Sequence, residues 1–355
     1  MAGASGSKPA TIRDVAALAG VSTATVSRAL RGGARVEPAT RERVLVAARE
    51  LRYRPSGVAR SLKLRSTRTL GLIVTDIENP YFPQVIRAVE DAARARGYSV
   101  VLADGRRDPE REIQSLELLA EREVDGLLIA SSALTERHRS WIDERPCPVV
   151  VMNSTSEVTD VPSVASDNHA GGRLGCEHLL ALGHRRLAFI ATPASSNLAV
   201  DERLEGVRGA MAAVGLDPEG LAVVNGDGGV GGGEHAAREV LGSRPETTAL
   251  ICYNDLTAVG ALRGARALGR SVPHDLSVIG FDDIELAPYV DPPLTTLRQD
   301  TDAMGDWAVS TLLGLIAEDA VGPEEAADGT TPLQRIPVEL VERNSTAAAP
   351  ERVDW

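Results

Sequence analysis

The sequence predicts a small all-α helix-turn-helix head with a hinge helix, joined to a larger α/β body of two doubly wound parallel-sheet subdomains. Three observations support this prediction. Two short helical patterns flank a glycine near the amino terminus, and positive charge is concentrated in the same part of the chain. From residue 69 onward, short apolar runs alternate with amphipathic stretches, the pattern of a parallel sheet covered by helices on both faces.

Residues 11–30, TIRDVAALAGVSTATVSRAL, predict two helices joined by a tight turn at Gly20. Thr11 and Asp14 have the spacing of a capping box that begins the first helix, and Ser22 is placed to cap the second. The predicted inner face of the first helix is Val15, Leu18 and Ala19. That of the second is Val26, Ala29 and Leu30.

The outer face of the second helix carries short side chains and one guanidinium, namely Thr23, Ala24, Ser27 and Arg28. In a helix-turn-helix, residues near the start of the second helix meet base edges in the major groove. We therefore expect double-stranded DNA to be a partner of this helix.

Charge separates the head from the rest of the chain. Residues 1–69 contain 14 Lys and Arg against 4 Asp and Glu, a net charge of +10, so the remainder of the chain carries −22. A basic head suits the phosphate backbone, whereas an acidic body would be repelled from it. A charged stretch is often only a solvated face, but here it coincides with the helix-turn-helix, which favours DNA binding.

A third helix is predicted from Pro38 to Leu51. Its predicted inner face is Val44, Leu45, Ala48 and Leu51. Residues 56–63, SGVARSLK, predict a short hinge helix that needs DNA or a partner chain for stability. An exposed Leu62 beside Arg60 and Lys63 could wedge between base steps from the minor groove; the alternative is an ordinary linker with a packed leucine.

The body begins with a βαβαβ pattern. Its apolar runs lie at 70–74, 99–103, 126–130 and 148–152, with helices near 82–96 and 108–121. A second series has runs at 187–190, 221–224, 249–252 and 276–282, with a helix near 203–214. Two such layers leave a cleft between them, and ligands of α/β sheets bind outside the carboxyl ends of the strands.

Polar side chains follow several of the predicted strands. These are Asp76, Asn79, Asn153, Asn254, Asp255, Asp282 and Asp283. Facing carboxylates and amides, with the planar donors of Arg203, can satisfy the hydroxyls of a neutral polyol. The alternative is that each residue caps the helix that follows, and we assign Asp76, Asp255 and Asp283 to that role.

The head resembles the LacI/GalR family of bacterial transcription regulators, in T-I-x-D-V-A-x-x-A-G-V-S-x-x-T-V-S-R-x-L at 11–30, T-R-x-R-V at 40–44 and A-R-S-L-K at 59–63. The resemblance continues through nearly the whole chain. In the body it includes N-P-Y-F at 79–82, D-N-x-x-G-G at 167–172, R-x-x-G at 203–206 and G-F-D-D at 280–283. It implies a periplasmic-binding-protein-like body that binds a sugar or sugar derivative in its cleft.

The resemblance implies a homodimeric repressor whose affinity for a near-palindromic operator changes when the effector closes the cleft. The expected DNA-binding residues are Thr11, Ser22, Thr23, Ala24, Thr25, Ser27, Arg28, Arg31, Arg60, Leu62 and Lys63. The expected effector contacts are Asn79, Tyr81, Phe82, Asn153, Arg203, Asn254, Asp282 and Gln299.

The sequence departs from the family pattern at five residues. Arg31 stands where the family usually has Asn, and Asn153-Ser154 stands where many sugar-binding members have Asp-Arg. Gly228 replaces a frequent aromatic residue, which leaves Trp141 or Trp307 as candidate stacking rings. Asn197 stands where purine-responsive members have Arg, which disfavours a purine effector.

Other motifs predict neither catalysis nor a cofactor. The glycine-rich residues 226–233 lack the G-K-[ST] ending of a phosphate-binding loop and are expected to form a flexible loop. The three cysteines and the scattered histidines have no metal-ligand spacing. With neither a signal peptide nor a membrane span in the sequence, we expect a cytoplasmic protein that does not contact membranes.

Two other classes of protein are alternatives to a regulator. A transporter's sugar-binding protein would fit the body equally well, but the missing export signal and the basic head argue against it. A sugar-modifying enzyme would use facing carboxylates as acid and base. The predicted parts are a disordered tail (1–10), the head (11–55), the hinge and linker (56–68), the body (69–345) and a tail (346–355). Within the body we assign 69–167 and 298–327 to an N-subdomain, and 168–297 and 328–345 to a C-subdomain.

Overall fold

The computed structural model describes residues 10–30, 36–53, 66–130, 134–144, 147–154, 161–192, 198–319 and 333–351. The chain divides into two compact units, Met1–Thr67 and Arg68–Trp355. We call these units the head and the body and describe each by itself. Of the expected residues, Arg31, Arg60, Leu62 and Lys63 lie outside the described parts.

The head contains the helices α1 (Ile12–Ala19), α2 (Thr23–Leu30) and α3 (Pro38–Glu50). The predicted capping box is present, since the carboxylate of Asp14 accepts the backbone N–H of Thr11 at 2.7 Å. The hydroxyl of Ser22 accepts the N–H of Thr25 at 3.1 Å, which caps α2 as predicted. Gly20 ends α1 in the left-handed region, with a φ of 65°, where glycine is favoured.

The core of the head consists of small residues. Its buried members are Val15, Ala16, Ala19, Val26, Ala29, Val44, Ala47 and Ala48. The predicted inward positions of Leu18 and Leu45 are wrong, because these side chains are 49% and 36% exposed. Alanine counts weakly in an apolar pattern, yet Ala16 and Ala47 let the helices approach closely and so turn the larger leucines outward.

The N-subdomain is built on a parallel sheet in the order β11-β5-β4-β3-β1-β2. Its strands are β1 (Thr69–Val74), β2 (Ser99–Asp104), β3 (Gly126–Ala130), β4 (Val149–Met152), β5 (Ser163–Ser166) and β11 (Leu333–Ile336). Its helices are α4 (Tyr81–Ala95), α5 (Pro109–Glu121), α6 (Glu136–Asp143) and α11 (Thr301–Asp319). The central strands β1, β3 and β4 are buried almost throughout, as their continuous apolar runs predict.

The C-subdomain has a second parallel sheet in the order β7-β6-β8-β9. Its strands are β6 (Leu187–Ala191), β7 (Ala222–Asn225), β8 (Ala249–Cys252) and β9 (Ser277–Ile279). Its helices are α7 (Asn168–Ala181), α8 (Leu198–Ala213), α9 (Val230–Ser243) and α10 (Asp255–Ala267). Helix α8 begins five residues before the predicted 203.

The subdomains are connected where the chain crosses between them. Strand β10 (Thr296–Gln299) pairs with β12 (Val338–Val341) in a separate antiparallel ribbon. The assignment of 328–345 to the C-subdomain is wrong for β11, which pairs with β5 in the N-subdomain sheet. The crossing therefore lies between β11 and β12, at residue 337.

Helix pairs of the C-subdomain pack backbone against backbone. A side chain at Gly172 in α7 would collide with the carbonyl of Arg203 in α8, and one at Gly206 would collide with the carbonyl of His169. The glycine-rich residues 226–233 show the same packing, because Gly233 lies against the backbone of Thr257. The expected flexible loop is therefore wrong from Val230 onward, where these residues form the first turn of α9.

The chain remains part of the body beyond residue 345. The hydroxyl of Ser345 donates to the carbonyl of Val278 at 2.6 Å, and the N–H of Ala349 donates to the carbonyl of Leu182 at 2.8 Å. The imidazole of buried His184 lies 3.0 Å from the carbonyl of Ala347. Residues 346–349 thus pack on the C-subdomain rather than forming the expected tail. Among the described helices, none is long and apolar enough to cross a membrane.

Candidate functional site

A cavity of about 220 Å³ lies in the cleft between the two subdomains of the body. Its wall includes every residue expected to contact an effector: Asn79, Tyr81, Phe82, Asn153, Arg203, Asn254, Asp282 and Gln299. They come from the carboxyl ends of strands and from the starts of helices, together with Asp282 after β9 and Gln299 in β10. The cavity therefore lies where two doubly wound layers predict a ligand.

The N-subdomain wall is organised around Tyr81 and Asn153. The side-chain oxygen of Asn79 accepts the N–H of Tyr81 at 3.1 Å and so fixes the start of α4. Burial raises the pKa of Tyr81, so its hydroxyl stays protonated and donates to the amide oxygen of Asn153 at 2.7 Å. The amide nitrogen of Asn153 is buried without a hydrogen-bond partner. It is an unpaired donor on a residue that lines the cavity.

Asn153 has a backbone φ of 62°. Asparagine adopts the left-handed region more readily than most other residues, whereas a branched side chain would be strained there. The turn after β4 therefore suits an Asn at this position. Because Asn153-Ser154 stands in place of the Asp-Arg of many sugar-binding members, this part of the wall carries an uncharged amide. Ser154 is buried and does not line the cavity.

Arg203 is the main cation of the C-subdomain wall and is only 5% exposed. Its Nε donates to the amide oxygen of Asn168 at 2.9 Å, and one terminal nitrogen donates to the carbonyl of Tyr253 at 2.5 Å. The guanidinium also lies over the rings of Phe281 and Tyr253, at 3.4 and 4.8 Å from their centroids. These contacts fix the plane of the guanidinium before any ligand binds.

A chain of polar contacts continues from Arg203 to the other subdomain. The amide nitrogen of Asn168 donates to the carboxylate of Glu202 at 3.1 Å. The other oxygen of Glu202 pairs with Arg335 of β11 at 2.7 Å. Because β11 belongs to the N-subdomain sheet, this chain links the orientation of Arg203 to the position of both subdomains.

Asp282, which follows β9, and Gln299, at the end of β10, form another part of the wall. The amide nitrogen of Gln299 donates to one carboxylate oxygen of Asp282 at 2.7 Å, and its oxygen accepts from the hydroxyl of Ser166 at 2.6 Å. Asp282 has a φ of 128°, a region that non-glycine residues occupy only under constraint. Burial, aided by the nearby carboxylate of Asp255, raises the pKa of Asp282 well above its usual value, against the attraction of Arg203.

Asn254 both caps a helix and lines the cavity. Its side-chain oxygen accepts the N–H of Thr257 at 2.8 Å, which begins α10. Its amide nitrogen donates to the carbonyl of Gly228 at 2.9 Å. Asn254 is therefore the helix cap that the alternative interpretation predicted, it also lines the cavity, and its amide holds the loop before α9 in place.

The helix-capping roles assigned to three aspartates are incomplete or wrong. Asp255 is fully buried and accepts from the N–H of Ile284 at 2.9 Å and from the hydroxyl of Thr296, so it anchors the chain between β9 and β10. Asp283 pairs with Arg298 and Arg343. Asp76 accepts the N–H of Glu78 at 3.0 Å, as a cap would, but it also lines the cavity.

The sequence prediction missed several residues of the wall. These include Asp76, Arg107, Glu112, Asn168, Asp227 and Tyr253. Glu112 could have been found, because it shares the inward face of α5 with Leu116 and Leu119, where an acidic residue is out of place. Its carboxylate lies 3.0 Å from Nε2 of His138. Because Nδ1 of His138 accepts the N–H of Thr135, Nε2 carries the proton and donates to Glu112.

The proposed tryptophans do not line the cavity. Trp141 packs against the apolar cluster behind β3 and β4, and Trp307 packs against the one beneath α4 and β1. Both side chains are partly buried against apolar neighbours, so their packing needs no ligand. The aromatic rings of the wall are Tyr81, Phe82 and Tyr253.

In the head, α2 presents the outer face that the sequence predicts. Thr23, Ala24 and Arg28 are exposed, while Thr25 and Ser27 are half-buried. Nε of Arg28 lies 3.3 Å from the carbonyl of Ala24, so the guanidinium is held along the helix. Thr11 and Ser22 act as caps, and both are exposed.

The two buried thiols of the body, Cys176 and Cys252, are poor nucleophiles. Burial raises the pKa of Cys176 to about 12 and raises that of Cys252 further. Both thiols therefore remain protonated at neutral pH. Within the described ranges, no group of three His, Cys, Asp or Glu side chains could hold a metal ion.

Two family models match the chain. Residues 11–56 match "Bacterial regulatory proteins, lacI family", and residues 176–346 match a periplasmic binding protein-like domain. The ribose operon repressor of Escherichia coli K12 is 37% identical over 338 residues, which cover 95% of this chain and 99% of that protein. The repressor PurR of Erwinia tasmaniensis is 36% identical over 345 residues, covering 97% and 98%.

Solved structures resemble this protein over nearly its whole length. The lac repressor dimer bound to operator and an anti-inducer has a TM-score of 0.84 and 32% sequence identity, and the match covers 96% of this chain and all of that one. Sequence and structure thus agree on both units. The ribose operon repressor and PurR are almost equally similar to this chain, so sequence identity does not distinguish between them. The effector has to be inferred from the chemistry of the cavity.

Proposed function

Because this chain belongs to the LacI family of bacterial regulatory proteins, we propose that it is a transcriptional repressor whose affinity for operator DNA is set by a small neutral sugar bound in the cleft of its body. The observation that carries the choice of effector is the wall of the cavity, where fixed polar groups leave a few hydrogen-bonding atoms open.

Helix α2 is the proposed DNA-reading element. Its exposed face combines the short side chains of Thr23 and Ala24 with the guanidinium of Arg28. Short side chains allow a helix to enter the major groove closely, and an arginine is the commonest reader of guanine. The net charge of +10 over residues 1–69 supplies attraction to phosphates that does not depend on sequence.

The open atoms of the cavity wall match hydroxyl groups. The amide nitrogen of Asn153 and the second terminal nitrogen of Arg203 are donors without a partner among the described residues, and one carboxylate oxygen of Asp282 is an open acceptor. A hydroxyl both donates and accepts, so neighbouring hydroxyls of one sugar can satisfy all three. The rings of Phe82 and Tyr253 provide apolar surface for the carbon face of a sugar.

Charge and size narrow the effector further. The carboxylates of the wall, Asp76, Glu112, Asp227 and Asp282, outnumber its guanidiniums, Arg107 and Arg203. This balance disfavours a phosphorylated sugar, because like charges repel strongly in a site of low dielectric constant. The volume of about 220 Å³ is below the roughly 300 to 1,000 Å³ of sites for drug-sized ligands, which favours a single sugar ring.

A second copy of the chain is the proposed partner of the N-subdomain edge. Strand β2 ends the sheet, and its Val101 and Leu102 are each 37% exposed. Leu118 of the following helix is 50% exposed. An uncovered apolar edge strand is a liability in a monomer, and burying it against a second copy would form a homodimer suited to a near-palindromic operator.

Isothermal titration of the full chain with D-ribose, D-xylose, D-glucose, cellobiose, ribose 5-phosphate and guanine tests the proposed effector class. We expect one monosaccharide to bind at least about tenfold more tightly than the disaccharide, the phosphate and the purine. Preferred binding of ribose 5-phosphate or guanine would contradict the proposal. We also propose that the sugar is not turned over, so chromatography after long incubation should recover it unchanged.

A further inference from the structure

Arg107 connects the two subdomains across the cleft. It lies in the loop between β2 and α5 of the N-subdomain, where its Nε donates to the carboxylate of Asp76 at 2.7 Å. One terminal nitrogen of the same guanidinium donates to the backbone carbonyl of Asp227 at 2.6 Å. Asp227 belongs to the loop before α9 in the C-subdomain, and all three residues line the cavity.

The loop that carries Arg107 is held in an unfavourable backbone conformation. Arg106 and Arg107 have φ values of 52° and 58°, in the left-handed region that non-glycine residues seldom occupy. The N–H of Arg107 donates to the carbonyl of Thr75 at 2.7 Å, which holds the loop against the end of β1. Such conformations persist where the surrounding structure enforces them, and they cluster at ligand sites.

The space beside Arg107 is open because residue 228 is glycine. A Cβ atom at Gly228 would lie 3.5 Å from the terminal nitrogen of Arg107 that bonds to Asp227. Gly228 also has a φ of 77°, which a residue with a side chain would adopt only with strain. Glycine at position 228 thus suits both the backbone conformation of this loop and its close approach to Arg107.

We propose that Arg107 is an effector-site residue that closes the cleft: its guanidinium binds the two subdomains together over the cavity, raises effector affinity by stabilising the closed arrangement, and offers its remaining nitrogen to the effector. The proposal rests on the proposed function, since it gives a role in that site to a residue outside the expected contacts. A ligand that binds the closed arrangement binds more weakly when that arrangement is less populated.

Two features make the bridge specific to the closed arrangement. Its acceptor on the C-subdomain is a backbone carbonyl, so the contact depends on where that loop lies and not on a mobile side chain. The carboxylate of Asp76 is only 15% exposed and holds the guanidinium toward the cleft, although the arginine itself is 41% exposed. Removal of the side chain therefore takes away a contact between subdomains without opening a core.

Arg106 provides a matched control. It is the neighbouring arginine, has the same type of backbone conformation and is 70% exposed. Its ion pair, at 3.6 Å, is with Asp104 of its own subdomain. Arg106→Ala removes the same number of atoms and the same charge as Arg107→Ala without touching the cleft.

Hydrogen exchange of the full chain without any sugar tests the bridge directly. We expect Arg107→Ala to speed amide exchange on both sides of the cleft, in peptides covering 75–78 and 226–229, while Arg106→Ala changes neither. Asp76→Asn should give a smaller change in the same direction, because the amide no longer attracts the guanidinium. If Arg107→Ala alters exchange only within its own loop, 104–108, the residue has a local role and the proposal is wrong.

Titration with D-ribose as the probe tests the effect on the effector. We expect Arg107→Ala to weaken binding by about three- to thirtyfold, the range for losing a charged hydrogen bond that is partly exposed, and Arg106→Ala to leave it unchanged. Unchanged affinity in Arg107→Ala would overturn the proposal. If the unaltered protein does not bind D-ribose, this choice of sugar fails, whereas the exchange experiment still decides whether Arg107 closes the cleft.

Discussion

The head and the body recognise their ligands in opposite ways. The head presents exposed side chains on the outside of an eight-residue helix, over a core made of alanine and valine. The body holds its recognising side chains in a cavity, most of them buried and already bonded to one another. In the head, the side chains that face DNA are therefore different from those that stabilise the fold. In the body, the side chains that face the ligand also form contacts that stabilise the fold. Substitutions in the body should therefore have larger effects on stability than substitutions on the exposed face of the head.

The first prediction concerns the backbone packing on which the cavity wall depends. Gly206→Ala places a methyl group on the carbonyl of His169 and should force α7 and α8 apart. We expect it to lower the free energy of unfolding of the body by more than about 3 kcal/mol and to abolish sugar binding. Gly209→Ala, in the same helix but with open space around it, should instead raise stability by about 0.5 to 1 kcal/mol. Equal effects of the two variants in urea unfolding would contradict the packing argument.

The second prediction concerns the fixed guanidinium. Arg203→Ala leaves the side chain of Asn168 and the carbonyl of Tyr253 without their donors and removes a cation from the wall. We expect sugar affinity to fall at least about 100-fold while operator binding without sugar is retained. Titration with sugar measures the expected loss of affinity, and titration with operator DNA measures the expected retention of DNA binding. Arg173→Ala removes an exposed arginine that is paired with Glu177, and it should change neither sugar binding nor operator binding. A loss of sugar affinity in Arg173→Ala would point to a general charge effect.

The third prediction uses the buried carboxylate of Asp255. Burial raises its pKa to about 6, so between pH 4 and pH 6 the folded state binds more protons than the unfolded state. The free energy of unfolding should therefore fall by up to about 3 kcal/mol as pH rises through this window. Above pH 6 it should level off. Asp255→Asn should flatten this dependence, with a residual slope from neighbouring Asp282. Urea unfolding at pH 4, 5, 6 and 7 measures it.

The exposed aspartate Asp302 provides the control for this titration. Asp302→Asn should leave the slope between pH 4 and pH 6 as it is in the unaltered protein. A slope that is the same in Asp255→Asn as in the unaltered protein would show that the buried carboxylate does not set the pH dependence of the body.

The fourth prediction concerns the head. Arg28→Ala should weaken operator binding by about 1 to 3 kcal/mol and relax sequence preference, with no change in thermal unfolding, because the side chain is exposed. Fluorescence anisotropy on operator and unrelated DNA at one salt concentration checks this. Arg49→Ala, on the exposed side of α3, should affect both DNAs alike. Equal losses on both DNAs in Arg28→Ala would remove this residue from the base readers.

The sequence predicted the elements that have strong local patterns. Continuous apolar runs located β1, β3 and β8, and capping residues located the starts of α1 and α2. Leu18 and Leu45 were misplaced because small alanines occupy the interior of the head. The predicted members of the cavity wall came from residues after strands and from the family resemblance. Arg107 escaped prediction because its role depends on a carbonyl 120 residues away along the chain, which no local pattern reveals.

The most direct test of the account is binding of the full chain to DNA from upstream of its own gene, by fluorescence anisotropy at a stated salt concentration, with and without each sugar of the panel. We predict specific binding that one monosaccharide shifts by at least about tenfold, and no shift by that sugar in Arg203→Ala. A ligand changes DNA affinity only if it binds two arrangements of the protein unequally. Specific binding that no sugar changes, or an unaltered response in Arg203→Ala, would contradict the claim that the cleft of the body controls the head.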